Sequence, residues 1–349
     1  MGQCKSVVKS ATFGRGRRGA GKIVPVRAVN FVNFVKPADT ADGTPFPPGL
    51  GSAVPFSHAR HGAMAKSPAE LLLRHETRVS YGPVPSRLLD APLGEMSWQL
   101  KSDEFLLRAE GDHYFFYRKG HGVTVHRGAD ADLSEESLWL NGTVYAAVAS
   151  MNGLLPIHAS AVAQEGSVFA FTGPAGAGKS TLVAALGKHG LPMFCDDTLV
   201  LDLSSPDRVM CLPGHKRLKL RPDAFDLTGA AREEKVSLTY DKYYAVPSAG
   251  TVGTALPIAE LIFLEEGPDP AMTRISGSDR FVKMQDDHQS RYLFEAATRF
   301  DRAGQFTHRA RLARQIEMMR FARPGDVGRF EEGVALVAQH VLRHGSAGS

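Results

Sequence analysis

Lys179 and Ser180 close the run Gly173-Pro174-Ala175-Gly176-Ala177-Gly178-Lys179-Ser180, which lies between an apolar stretch over 168–172 and a helical stretch over 181–186. This is the Gly-x-x-x-x-Gly-Lys-Ser pattern in the context it requires, a strand before and a helix after. The chemistry it serves is phosphate binding. Glycines let the backbone fold back with several N–H groups pointing inward, and the start of the next helix adds the positive end of its dipole. Gly173 through Thr181 are therefore the expected nucleotide-binding set. Within it the Lys179 ammonium reaches the β- and γ-phosphates, and the Ser180 hydroxyl suits Mg²⁺.

Two carboxylates follow at short range. Leu191-Pro192-Met193-Phe194 reads as a strand running into Cys195-Asp196-Asp197, with a further strand over 198–201. In an open α/β sheet the strand ends on the ligand side carry the chemistry, so a pair placed there stands close to a γ-phosphate. The competing reading is a solvated turn. Upstream, Ile157-His158-Ala159-Ser160-Ala161-Val162 reads as a strand, joined to the one before the loop through Gln164-Glu165-Gly166-Ser167. That hairpin delivers His158 to the neighbourhood of the loop, either as a functional group or as a hydrogen-bonded core histidine. Lys216, Arg217, Lys219 and Arg221 form a basic cluster in a strand-like segment, and Lys242 is a weaker candidate for the same work. Such a cluster grips a triphosphate or an acidic peptide terminus, or it blunts an exposed sheet edge.

Ile157-His158-Ala159, the loop and Asp196-Asp197 together resemble the core of the HPr kinase/phosphorylase family, over roughly residues 150–325. The resemblance extends to shorter relatives found beside lasso-peptide biosynthesis genes, which phosphorylate a serine of the precursor peptide. It implies an α/β fold with a P-loop core sheet of the HPr-kinase type, ATP and Mg²⁺ as cofactors, and paired aspartates at the transferred phosphate. Phosphoryl transfer asks a protein for positioning and charge stabilisation more than for covalent chemistry, and one aspartate can accept the proton of the incoming hydroxyl. Asp196 is expected in that role, and Asp197 with Ser180 as metal or water ligand, although the two aspartates are exchangeable. The Leu-Glu-Ile-Arg-Gly signature of true HPr kinases is missing, with 212–222 and a meander in its place, so HPr itself as substrate and phosphorylase activity are not implied. The expected activity is ATP-dependent phosphorylation of a Ser or Thr hydroxyl on a peptide or small protein, a lasso-peptide precursor among the options. A non-catalytic ATP-binding regulatory module and a small-molecule kinase are the alternatives, since site details rather than fold decide the substrate.

The elements that must hold these residues follow from the rest of the 349-residue chain. Residues 1–65 form a basic, Gly- and Pro-rich arm with no periodic apolar face, expected to be disordered. Its start matches a loose myristoylation pattern at Gly2 with Cys4 beside it. A small β-rich domain with a helix is expected over 66–152, the catalytic domain over 153–325, and a last helix and tail over 326–349. In the first of these, 104–109, 112–118 and 123–127 read as a meander whose aromatics Tyr114 to Tyr117 are core and edge residues. A single helix is expected from Ser134 to Met151, and further helices over 291–299, 309–321 and 329–342.

Composition narrows the partners. The net charge of +4 resides in the arm, which holds Lys5, Lys9, Arg15, Arg17, Arg18, Lys22, Arg27 and Lys36 and no acid before Asp39. The remainder is slightly acidic, which argues against a nucleic-acid partner. No apolar stretch is long enough to span a membrane. Three cysteines, Cys4, Cys195 and Cys211, are few and odd in number, which argues against a disulfide framework or a zinc site and fits a cytoplasmic protein. A homo-oligomer is left open.

Overall fold

The computed structural model describes residues 66–89, 97–284, 295–297 and 302–346. The arm, its lipidation pattern and most of the helix expected over 291–299 lie outside the described residues.

Helix α1 (Pro68–Glu76) starts where Ser67 accepts a hydrogen bond from the Glu70 N–H at 3.1 Å and Pro68 fits the first turn. Strands β1 (Val79–Tyr81), β2 (Trp98–Leu100), β3 (Glu104–Ala109), β4 (His113–Arg118) and β5 (Gly122–His126) follow, in the sheet order β1-β5-β4-β3-β2. The antiparallel meander β3-β4-β5 is the expected one. Alternation along β4 buries His113, Phe115 and Tyr117 and leaves Tyr114 and Phe116 half-buried, so these aromatics are core and edge residues. The single helix expected after the meander is divided. Gly142 leaves helical geometry at φ −112° and ψ −131°, between α2 (Glu136–Trp139) and α3 (Tyr145–Met151). Glycine alone adopts such a backbone without steric cost. Every residue of α3 is buried, and its core joins the small sheet to Val200 and Leu212 of the large one.

The large sheet begins with β6 (Leu155–Ile157), β7 (Ala159–Gln164) and β8 (Ser167–Thr172), followed by α4 (Lys179–Gly187). Next come β9 (Met193–Cys195), β10 (Leu199–Asp202), β11 (Met210–Leu212), β12 (Leu218–Leu220) and α5 (Pro222–Thr228). After them lie β13 (Arg232–Lys235), β14 (Tyr243–Ala245), β15 (Leu256–Glu266), β16 (Ala271–Arg274) and α6 (Asp279–Lys283). The chain closes with α7 (Arg302–Gln315), β17 (Glu317–Arg323) and α8 (Phe330–Ser346).

Strand β15 is the spine. Its first residues pair antiparallel with β11, and the remainder runs parallel to β8 on one side and β17 on the other. Leu261, Ile262, Phe263 and Leu264 are all buried, as a central strand covered on both faces requires. Phe169 and Phe171 of β8 share a core with α4 and α8, while Val168 and Ala170 share one with Leu312 and Ile316 around α7. The architecture is α/β, with mixed sheets and helices on both faces. One expectation is corrected: the helix read over 309–321 ends at Gln315, and 317–323 form β17. Pairing with β15 in the sheet overrides the local spacing of Ile316, Met319 and Phe321. A short three-stranded sheet, β12-β14-β13, completes the fold.

Candidate phosphoryl-transfer site

Three strand ends meet because of two antiparallel pairings. In the β7-β8 hairpin Ala159 lies opposite Thr172, so the residue before β7, His158, stands beside the residue after β8, Gly173. Strand β9 runs antiparallel to the other edge of β7 with Cys195 opposite Ala161, and so the chain leaves β9 at Asp196 toward the same end. The expected continuous strand through His158 is interrupted there. Residues 155–157 pair with β10 and 159–164 with β8, which leaves His158 at the junction.

The phosphate loop has the backbone its sequence demands. Gly176 and Gly178 lie at φ 86° and 84°, in the left-handed region. At Gly173, a Cβ would meet the Leu264 carbonyl oxygen at 3.0 Å. The Lys179 ammonium folds back onto the loop, donating to the carbonyls of Gly173 at 2.9 Å and Pro174 at 3.1 Å. Burial pulls its pKa down to about 8 against the partial support of Asp197.

The two aspartates occupy different environments. Asp196 is fully buried, with Oδ1 accepting from the Ser160 hydroxyl at 2.7 Å and Oδ2 from the Lys219 backbone N–H at 3.0 Å. The Ser180 hydroxyl lies near enough to this carboxylate to favour its charged form. Burial and the adjacent Asp197 charge push the Asp196 pKa up. Asp197 sits at φ 78°, which turns its side chain toward a ring of positive groups. Its Oδ1 is 3.2 Å from His158 Nδ1 and its Oδ2 is 3.7 Å from the Lys219 ammonium. Burial alone would raise its pKa, but His158, Lys219, Lys242 and Lys179 together hold it low. His158 Nδ1 lies 2.8 Å from the Asp197 carbonyl oxygen, so this nitrogen carries the proton and Nε2 is bare in the neutral ring. Burial brings the His158 pKa down to about 4, despite Asp197, and the ring is neutral at physiological pH.

The basic candidates separate. Lys219 and Lys242 act on Asp197, as described. Arg221 is exposed, 3.8 Å from Asp223, and borders a cavity of about 220 Å³ beside the loop, lined also by Gly176, Gly178, Thr181, Arg323, Asp326 and Phe330. Lys216 and Arg217 do not belong to the site. The Lys216 ammonium donates to the carbonyls of Phe194 and Val252, tying β9 to a neighbouring loop. Arg217 bridges Glu233 and Glu234 at 2.7 and 2.6 Å and lies over the Tyr244 ring at 3.8 Å. Both side chains are engaged away from Asp196 and Asp197.

Two contributions escape the sequence reading. Ser160 lies two residues from His158, and that period-two spacing on one strand was the available signal. The cavity wall from Arg323 to Phe330 follows a strand that the sequence presents as helix. Among the described residues no group of three or more His, Cys, Asp and Glu side chains could hold a metal ion. Mg²⁺ does not require one, since it keeps waters and substrate phosphates and takes one or two protein ligands. The Ser180 hydroxyl, with the Asp196 carboxylate near it, fits that need. No helix among the described residues is long and apolar enough to cross a membrane.

No family model matches the chain, and no curated protein is similar to it. Among solved structures it aligns with the HPr(Ser) kinase/phosphatase from Coxiella burnetii at 16% identity, covering 54% of this chain and 89% of that chain, with a TM-score of 0.29.

Proposed function

We propose that the chain is an ATP-dependent kinase that transfers the γ-phosphoryl group to a Ser or Thr hydroxyl of a peptide or small protein, a lasso-peptide precursor being one such acceptor. The observation that carries this reading is the convergence of the phosphate loop with Asp196 and Asp197 at three adjacent strand ends, with Ser180 in the neighbourhood of Asp196. The cavity beside Gly176 and Thr181 offers room for the nucleoside on the outer side of the loop. Mg²⁺ would be held through Ser180 and Asp196 and would supply charge neutralisation to the phosphates.

The hydrogen bonding supports exchanging the two aspartate roles expected from the sequence. Both Asp196 oxygens accept from protein donors, which suits a rigidly placed group that holds the metal's water shell. Asp197, the more exposed of the two, is the one that takes the acceptor's proton, and His158 positions it through its backbone carbonyl and carboxylate. Lys179 leaves its two loop carbonyls when phosphate offers better acceptors, because charged hydrogen bonds are stronger than neutral ones.

The test is to incubate the full chain with ATP, Mg²⁺ and a Ser/Thr peptide library and to look by mass spectrometry for an addition of about 80 daltons, one phosphoryl group. The reading predicts modified peptides and ADP in equal amounts. ATP binding without acceptor-dependent turnover, unchanged in Asp197→Asn, would instead establish a non-catalytic nucleotide-binding module.

A further inference from the structure

Lys219 is brought into the site by β12, whose backbone N–H at this residue already holds Asp196. Its side chain is 1% exposed, and its ammonium lies 3.7 Å from Asp197 Oδ2 with no hydrogen-bond acceptor. A buried ammonium carries a desolvation cost that hydrogen bonds normally offset. The other two buried lysines nearby meet that condition, Lys179 on two loop carbonyls and Lys216 on those of Phe194 and Val252. Lys219 has only its ion pair with Asp197, and no acceptor within hydrogen-bond distance.

Charge around Asp197 sharpens the point. Two carboxylates, Asp196 and Asp197, face three ammonium groups, Lys179, Lys219 and Lys242. Phosphoryl-transfer sites with two divalent ions clamp the attacking and leaving oxygens between them, and each ion needs carboxylate oxygens to hold it. Here the oxygen that a second ion would use is paired with a lysine, and an added divalent charge would meet three cations.

We propose that Lys219 supplies from the protein the second positive charge at the transferring phosphoryl group, so that the site works with a single divalent cation. This rests on the kinase reading above. In the step, the acceptor oxygen forms its bond to the γ-phosphorus, the bond from that phosphorus to the β,γ-bridging oxygen breaks with its electron pair leaving on ADP, and the hydroxyl proton passes to Asp197. The Lys219 ammonium hydrogen-bonds the equatorial oxygens and keeps its proton throughout.

The experiment counts Mn²⁺ bound per nucleotide by electron paramagnetic resonance, with a non-hydrolysable ATP analogue, in the native chain, K219M and K219E. One Mn²⁺ per nucleotide is expected for the native chain and K219M, and two for K219E, where a third carboxylate rebuilds a second ion site. Transfer by K219M should fall about 10²- to 10³-fold in kcat with little change in KM for ATP. Two Mn²⁺ in the native chain, or native kcat in K219M, overturns the proposal. If K219M loses its circular dichroism signature, the native stoichiometry decides alone. A native chain that binds no nucleotide overturns the kinase reading itself, whereas native transfer with an unimpaired K219M overturns only the role of Lys219.

Discussion

On the helices beside the small sheet, Glu136 accepts from the Tyr81 hydroxyl at 2.9 Å and from two nitrogens of Arg127 at 2.6 and 2.8 Å, and Glu76 accepts from the Tyr117 hydroxyl and the Gly120 N–H. At the Asp196–Asp197 site the balance is reversed, with more cationic groups than carboxylates and the Lys219 ammonium held only by a long ion pair to Asp197. Both clusters bury charge, but they have opposite consequences. A carboxylate whose partners are all fixed protein donors, in a cluster of balanced charge, fixes a fold. An unfilled cluster is a binding site for whatever carries the missing charge, here an anion.

The largest effect that would break this contrast is expected at Lys179. Lys179→Ala should lower kcat/KM for phosphoryl transfer by roughly 10³-fold, and its thermal unfolding midpoint should not fall, since the ammonium it removes is charged and buried. Next, Asp197→Asn should reduce kcat by roughly 10²- to 10³-fold while nucleotide affinity is kept or improved, because a negative charge is removed near the phosphates. Weaker nucleotide binding in that variant would contradict the assignment of a base. Beside the small sheet the same kind of change acts on stability instead: Glu136→Ala should cost about 3 kcal/mol in denaturant unfolding, leaving Arg127 and the Tyr81 hydroxyl without their partner. If it abolished nucleotide binding in a folded chain, the two clusters would not be separable. Arg217→Ala should cost no more than about 1 kcal/mol, since its ion pairs are partly solvated, with transfer unchanged.

The smallest expected effect is a fraction of a proton. Burial holds Lys179 and Lys219 near pKa 8 in the free chain, and an incoming phosphate favours their charged forms. Nucleotide binding should therefore take up protons around pH 8, and affinity should fall as pH rises through that value while staying level below about pH 7. Calorimetry at pH 8 in two buffers of different ionisation enthalpy checks this. Identical heats would show that neither lysine changes protonation.

Much of the site was legible because its signals are local. The loop needs only its own eight residues, and the hairpin that places His158 turns at Glu165 and Gly166, both at positive φ. The basic cluster was not legible in the same way. Arg217, Lys219 and Arg221 share a period-two spacing, yet β12 spans only Leu218 to Leu220, so just the middle residue is held by strand geometry. Arg221 already belongs to the start of α5, and Arg217 turns back to the two glutamates of β13. Lys219 between two leucines reads as an outward residue; it is buried because that outward face is covered by Asp196 and Asp197. The nucleoside-side cavity was hidden for a different reason, since the strand leading to it pairs with a partner far away in sequence.

The left-handed backbone at Asp197 has a consequence for which residues the position tolerates. At φ 78° a β-branched or bulky side chain is strained, glycine is free, and asparagine and aspartate are the side chains that most readily follow. The turn therefore restricts the position to a short list before chemistry is considered, and the chemistry then selects the one member that carries a charge. Neutral drift at this codon has only Asn and Gly as inexpensive destinations, and a chain that had lost the activity would be recognised by finding one of them there.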